Sequence, residues 1–171
     1  FEIIHPFWDG NGRIGRIILP LFLYEKKVLS SPMFYISWYL ESHRDEYYDL
    51  LWGISKNNDW ESWIAFFLKA TIHQSQQNIE KVKHILELYE LMKQKVVDIT
   101  HSQFSLHTVD ALFSSPIFST TQFITRTGIQ RQTALVILWQ LENAWILRKL
   151  RESQWRKPWV YIFEELTLIT W

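Results

Sequence analysis

Apolar residues recur at spacings of three and four over most of the first hundred positions, the period of a helix with one buried face. Arg13–Lys27 reads as a helix kinked by Pro20. Ser31 reads as a cap with Pro32 at the first helical position, opening a second helix that reaches about Ile54. The polar run 55–59, SKNND, reads as a loop. Asn58 followed by Glu61 resembles a capping box. It opens a long helix from Asp59 to about Val97, with Trp60, Trp63, Phe66, Phe67 and Ala70 as its buried stripe.

The pattern changes near Thr100. A short helix ends at Pro116, and a second, in STTQFITRTG, is stopped by Gly128. Ile129–Ala144 reads as a third, with Ile129, Thr133, Val136, Ile137 and Leu141 facing inward. Two β-rich runs follow, WILRKLRES and PWVYIF, joined by a polar turn. Helix, helix, turn, helix, strand, strand is the order of a winged helix-turn-helix. The expected fold is therefore mainly α. A helical part at 1–98 precedes a winged helix-turn-helix with a small β-hairpin at 105–171, and the boundary lies at 99–104.

Composition suits a packed protein: 47% of the residues are apolar and 16% aromatic, ten of them Trp. The 18 basic and 18 acidic side chains cancel, so no global charge selects a partner. Residues 105–171 hold 7 basic against 5 acidic side chains, a mild surplus. No cysteine is present, which excludes a disulfide framework, a thiolate nucleophile and a Cys-ligated metal, and suits a cytoplasmic location. The longest apolar run, Ile17–Tyr24, contains Pro20 and is too short to span a bilayer, so no membrane partner is expected.

The chemistry concentrates in HPFWDGNGRIGR, from His5 to Arg16. Gly10, Gly12 and Gly15 spell G-x-G-x-x-G, but a dinucleotide site needs a preceding strand and a βαβ unit, and helices follow here. The residues read instead as a loop feeding a helix. Gly10, Asn11 and Gly12 permit backbone geometries in which successive N–H groups converge on an anion. The helix beginning near Arg13 adds its free N–H groups and positive dipole end. Arg13 and Arg16, three apart, share a face and suit a di- or triphosphate. Asp9 can hold Mg2+ beside phosphate oxygens. A histidine such as His5 can accept a proton near neutral pH. Base, metal ligand and phosphate cradle are the parts of phosphoryl-group chemistry.

The same stretch resembles the signature of the Fic (Fic/DOC) family, H-x-F-x-(D/E)-G-N-G-R-x-x-R, at every fixed position. The segments YISWYLESHRDEYYDLL and NDWESWIAFFL are similar to the helices that follow it in family members, and the tail resembles the winged helix of one large subgroup. The resemblance implies a protein adenylyltransferase that moves AMP from ATP onto a hydroxyl of a target protein. It implies that His5 is the general base, that Phe7 packs into the core and holds the loop, and that Asp9 binds Mg2+. It further implies that Gly10, Asn11 and Gly12 form the anion hole, that Arg13 contacts phosphates and that Arg16 reaches the γ-phosphate. The phosphorylating Doc branch has Lys where Arg13 stands. Phosphocholine transfer also occurs in the family and stays open on the loop alone.

Family members carry several helices and a β-hairpin flap ahead of the motif, whereas this chain opens on Phe1, four residues before His5. An N-terminally incomplete chain, impaired in transfer, is therefore expected. An inhibitory helix in the family reads (S/T)-x-x-x-E-(G/N). Glu142 and Asn143 match its end, but Leu138 stands where Ser or Thr is required, so no inhibitory motif is read.

Other features read plainly. His43, Arg44 and Asp45 spell HRD, but Leu50 replaces the Asn of a kinase loop, so they read as a helix face. His73 and His84 read as solvated. Gln130, Arg131 and Gln132 open the third helix of the tail, where base edges are read in DNA-binding relatives of the motif. Arg148, Lys149, Arg151, Arg156 and Lys157 would supply phosphate contacts in that case. The small charge surplus disfavours DNA, and Trp139, Trp145, Trp155 and Trp159 suit a protein partner or a homodimer better. The alternative to an enzyme is a binding module, its winged helix reading DNA or a protein beside a silent Fic part.

Overall fold

The computed structural model describes residues 1, 4–30, 36–151 and 158–170, and of Arg151 the backbone only. Eight helices and three short strands are found among them. Contacts divide the chain into two compact units, Phe1–Asn78 and Ile79–Trp171. No helix among the described residues is long and apolar enough to cross a membrane.

In the first unit, α1 spans Asn11–Glu25 and holds Pro20 within it, buried and with no N–H to give the preceding turn. The helix starts two residues earlier than expected because the loop is capped by the backbone at Gly10. Ser31 and Pro32, the expected cap, lie outside the described residues. The single helix expected up to Ile54 is two, α2 (Ser37–Ser42) and α3 (Arg44–Asn57), parted at His43. There the Ser42 hydroxyl donates to the Tyr39 carbonyl at 3.0 Å, and His43 Nδ1 lies 3.0 Å from the same oxygen. Side chains that occupy a helix carbonyl compete with the next backbone bond. Arg44 and Asp45 then lie in the first turn of α3.

The expected loop at Ser55–Asp59 is shorter, because α3 runs on to Asn57. Asn58, read as an N-cap, is instead the left-handed C-cap of α3 at φ 57°. The cap of α4 (Trp60–Thr100) is Asp59, whose Oδ1 accepts the Ser62 N–H at 3.1 Å. Hydrogen bonds from the Ser62 side chain and backbone hold the Asp59 carboxyl below its ordinary value. Of the expected stripe, Phe66 and Ala70 are buried with Ile36 and Leu40, Trp63 and Phe67 pack half-buried against them, and Trp60 is exposed. His73 is not simply solvated: its ring packs beside Trp38 and Tyr39, with Nδ1 buried and no partner among the described residues. His84 is exposed, as expected.

The second unit takes the end of α4 as part of its core. Leu88, Met92 and Val96 are buried with side chains of α5 (Ser105–Ser114), α6 (Thr120–Thr127) and α7 (Arg131–Asn143). The expected boundary at 99–104 therefore falls inside this unit. The Tyr89 hydroxyl, 2.6 Å from an Asp110 carboxylate oxygen, ties α4 to α5. A capping box between Ser119 and Gln122 starts α6, and Gly128 at φ 67° ends it. β2 (Arg148–Arg151) and β3 (Val160–Ile162) form the expected antiparallel pair. Two elements were not foreseen. β1 (Ile117–Ser119) adds a third antiparallel strand in the order β1-β3-β2, with Phe118 opposite Tyr161. α8 (Glu164–Thr170) follows the sheet and buries Leu166.

On α7, Ile137 and Leu141 are buried, as is Ile129 just before the helix, and Thr133 is half-buried as read. Val136, expected inside, is 55% exposed, and Ala134 and Leu138 fill the core instead. The buried face is rotated by part of a turn from the expected one. Leu138→Ala should then cost about 2–5 kcal/mol, and Val136→Ala no more than about 0.5 kcal/mol. Chemical denaturation of the two variants checks the register, and similar losses would refute it.

Burial, with a smaller effect of Glu142, pushes the Tyr161 hydroxyl up to about 12. The native state thus keeps a proton that the unfolded chain gives up from about pH 10. The raised value contributes stability in full below pH 10, and that contribution is lost as pH rises through about 12. Tyr161→Phe should flatten the fall in melting temperature over that window. An unchanged pH profile in the variant would count against the burial.

Candidate active site

The motif is a loop, His5–Gly10, running into the N-terminus of α1. Gly10 takes φ 82°, and a Cβ there would lie 3.3 Å from the Arg13 guanidinium, so a side chain is excluded twice. Gly12 and Gly15 lie inside α1 with ordinary backbone, so of the three glycines only Gly10 needs its conformational freedom. The N–H groups of Asn11, Gly12 and Arg13 precede the first helical bond, which Ile14 donates to Gly10. Like those of any first helical turn, they have no intrahelical acceptor and point along the positive end of the helix.

Asn11 does what the motif alone did not reveal. Its side chain is 2% exposed, accepting the Phe7 N–H at 3.0 Å and donating to the Phe7 carbonyl at 2.5 Å. The amide thus replaces two backbone hydrogen bonds and closes the loop onto the helix. Only Asn or Gln carries a donor and an acceptor on one planar group. The expectation that Phe7 packs into the core is corrected. Its ring is 48% exposed and tilts against Phe1 at 6.4 Å, so this residue's anchorage is through its backbone.

Asp9 and Arg13 are brought together. Asp9 Oδ1 accepts the Gly10 N–H at 2.7 Å, and Asp9 Oδ2 meets Arg13 Nη2 at 2.9 Å. Both side chains are well exposed, so the pair is weak and easily exchanged. Arg16 lies over Gly12 and lines a groove of about 640 Å3 shared with Phe1, Tyr47, Trp60 and Trp63. His5 is exposed at φ 48°, and among the described residues no hydrogen bond joins its ring to Asp9, Arg13 or Arg16. No cluster of three metal-ligating side chains exists among the described residues. One exposed carboxylate suits Mg2+ only where phosphates and water supply the other oxygens, which is that ion's habit in nucleotide sites.

In the second unit, Gln130 precedes α7, and Gln130, Arg131 and Gln132 are exposed at its start. The cations meant for phosphate are largely engaged elsewhere. Arg148 pairs with Glu164, and Lys149 sits 2.7 Å from Glu142 and 4.9 Å over the Trp159 ring. The side chain of Arg151, and Trp155, Arg156 and Lys157, lie outside the described residues. Trp139 and Trp145 are exposed, while Trp159 is half-buried.

Asn11→Ala should leave the Phe7 N–H and carbonyl to water and loosen the loop, at a cost of about 1–3 kcal/mol to the first unit. Amide exchange at Phe7 should quicken while exchange in α7 stays constant. Unchanged protection at Phe7 would remove the clamp.

Residues 1–23, which hold the loop and nearly all of α1, match the Fic/DOC family. Over 30 residues, 18% of this chain, the sequence is 60% identical to a protein of Aquifex aeolicus (strain VF5) that bears the name "probable protein adenylyltransferase". The chain spans about 9% of that relative's length. Both matches support the Fic family for the motif.

Proposed function

We propose that this chain carries the nucleotide site of a protein adenylyltransferase, which moves AMP from ATP to a hydroxyl of a target protein. The observation that supports it most is the junction of Asp9, the left-handed Gly10 and Arg13 at the free N–H groups of α1, within a stretch that matches the Fic/DOC family. In this reading the exposed His5 imidazole takes the proton of the target hydroxyl. The hydroxyl oxygen then bonds to the α-phosphorus as the bond to pyrophosphate breaks. The N–H groups of Asn11, Gly12 and Arg13 receive the charge that grows on the phosphate oxygens. Arg13 exchanges Asp9 for phosphate, and Arg16 holds the far end of the triphosphate. Asp9, so released, would hold Mg2+ together with phosphate oxygens, and that ion would offset the triphosphate charge. Arg in place of Lys at position 13 favours adenylylation over phosphorylation within the family resemblance. ATP as donor fits a cytoplasmic protein.

For the second unit, the helices α5, α6 and α7 and the antiparallel sheet support a winged helix-turn-helix. Its partner in this reading is a protein, because Arg148 and Lys149 are committed to carboxylates and Trp139 offers an exposed aromatic surface.

The test uses the protein at its natural length with ATP labelled at either the α- or the γ-phosphate. Label from the α-phosphate should appear on a target protein, and label from the γ-phosphate alone would overturn adenylylation. His5→Ala should slow transfer by about 10²–10⁴ with little change in Mg·ATP affinity, whereas Asp9→Ala should weaken that affinity. Undiminished transfer by the His5 variant would remove its role as base.

A further inference from the structure

The long helix α4 is apolar on two opposite sides. One side supplies Phe66, Ala70, Leu88, Met92 and Val96 to the cores already described. On the other, Leu68, Ile72, Ile79, Val82 and Leu86 are 53–58% exposed. Their spacing is four, then seven divided by the exposed-side Ser75, then three, then four. This is an unbroken alternation of four and three, the a and d positions of a heptad. A helix resting on one core needs a single 3.6-period stripe. The second stripe, with period 3.5, is matched to another helix rather than to solvent.

We propose that this seam of α4 pairs with the α4 of a second copy of the chain. Three features select a second copy as occupant. First, a heptad seam of Ile, Val and Leu is complementary to its own kind, since each knob fits a hole made by the same residue types. Second, each half-exposed aliphatic residue offers roughly 90–100 Å2, so five supply over half of the ~800 Å2 that one partner gives to a standard interface. The stems of Tyr89 and Lys93, the next d and a positions, extend it. Third, the flanking charges balance. Antiparallel pairing about a two-fold axis between Glu80 and Lys81 sets Ile79 against Val82 of the second copy and Ile72 against Tyr89. The same register brings Lys69 beside Glu90 of the second copy, whereas a strongly acidic or basic partner would need a flank of one sign. A single polar Ser75 among the core positions fixes the register, since a slip by one heptad would bury it against a different layer.

Sedimentation equilibrium and light scattering measure the mass of the chain, expected at twice 20.7 kDa. The double variant Ile79→Lys/Leu86→Lys should be monomeric with an unchanged far-ultraviolet spectrum, because both side chains are already exposed. Leu91→Lys is the control. Leu91 is as exposed as Leu86 but lies on a different side of α4, so dimerisation should be retained. Since the chain has no native cysteine, Val82→Cys should be joined into covalent dimers by a short bismaleimide. A monomeric wild-type chain would overturn the proposal, leaving the seam to another occupant such as a different protein or further sequence of a longer chain. A dimer that survives the double variant, or is lost equally in Leu91→Lys, would place the interface elsewhere and also overturn it.

Discussion

Both cores of this protein are fed by one helix, and that constraint governs what each unit can do. α4 has 41 residues, and its buried face serves Ile36 and Leu40 at one end and the sheet unit at the other. The division is unequal. Among the described residues four buried side chains form the first cluster and eighteen the second. A core of four large side chains contributes little free energy against chain entropy. The motif loop consequently cannot rely on packing for its shape. It relies on hydrogen bonds made within itself, above all the Asn11 amide that spans the Phe7 peptide groups.

Local bonding of this kind suits a phosphate site. Backbone N–H groups fixed by a helix start and a left-handed glycine are dipoles already aimed before an anion arrives, so little reorganisation is left to the binding step. The Asp9–Arg13 pair completes the arrangement by keeping the unliganded loop close to neutral. Because both side chains are largely in water, the pair is worth little and separates readily. In the proposed reaction each partner then meets a stronger one: Arg13 a phosphate through bidentate bonds, and Asp9 a cation.

Sequence periodicity was informative where one helix face meets one core. The three helices of the second unit, the capping signals at Ser119 and Gly128 and the β2–β3 pair all follow from it. It failed where a residue has two roles available. Asn58 and Asp59 are both good N-caps, and only the left-handed turn that ends α3 decides that Asn58 closes one helix while Asp59 opens the next. The break at His43 depends on which way two side chains turn toward the Tyr39 carbonyl, which no spacing encodes. β1 escaped notice because three residues are too few for a period-2 signal, and its pairing partner is more than forty residues away. At the site, the motif named the chemical groups but not their divisions of labour. An amide between two glycines reads as an anion-hole member, and its buried hydrogen bonds to Phe7 appear only in three dimensions.

Charge counting has the same blind spot in the second unit. Seven cations against five carboxylates suggest a free positive surplus, yet the surplus matters only if the cations face outward unpaired. Glu142 sits at the end of α7 and Glu164 at the start of α8, and folding carries each to a strand cation, Lys149 and Arg148. Lys149 is further drawn over the Trp159 ring, where an aromatic face lowers the free energy of a partly desolvated ammonium. Cations held in this way cannot release many counterions from a phosphate backbone, and that release is the main source of non-specific affinity for nucleic acid. The aromatic side chains Trp139 and Trp145 carry no such prior commitment to a core. They make the outer surface of this unit better suited to a protein than to a polyanion.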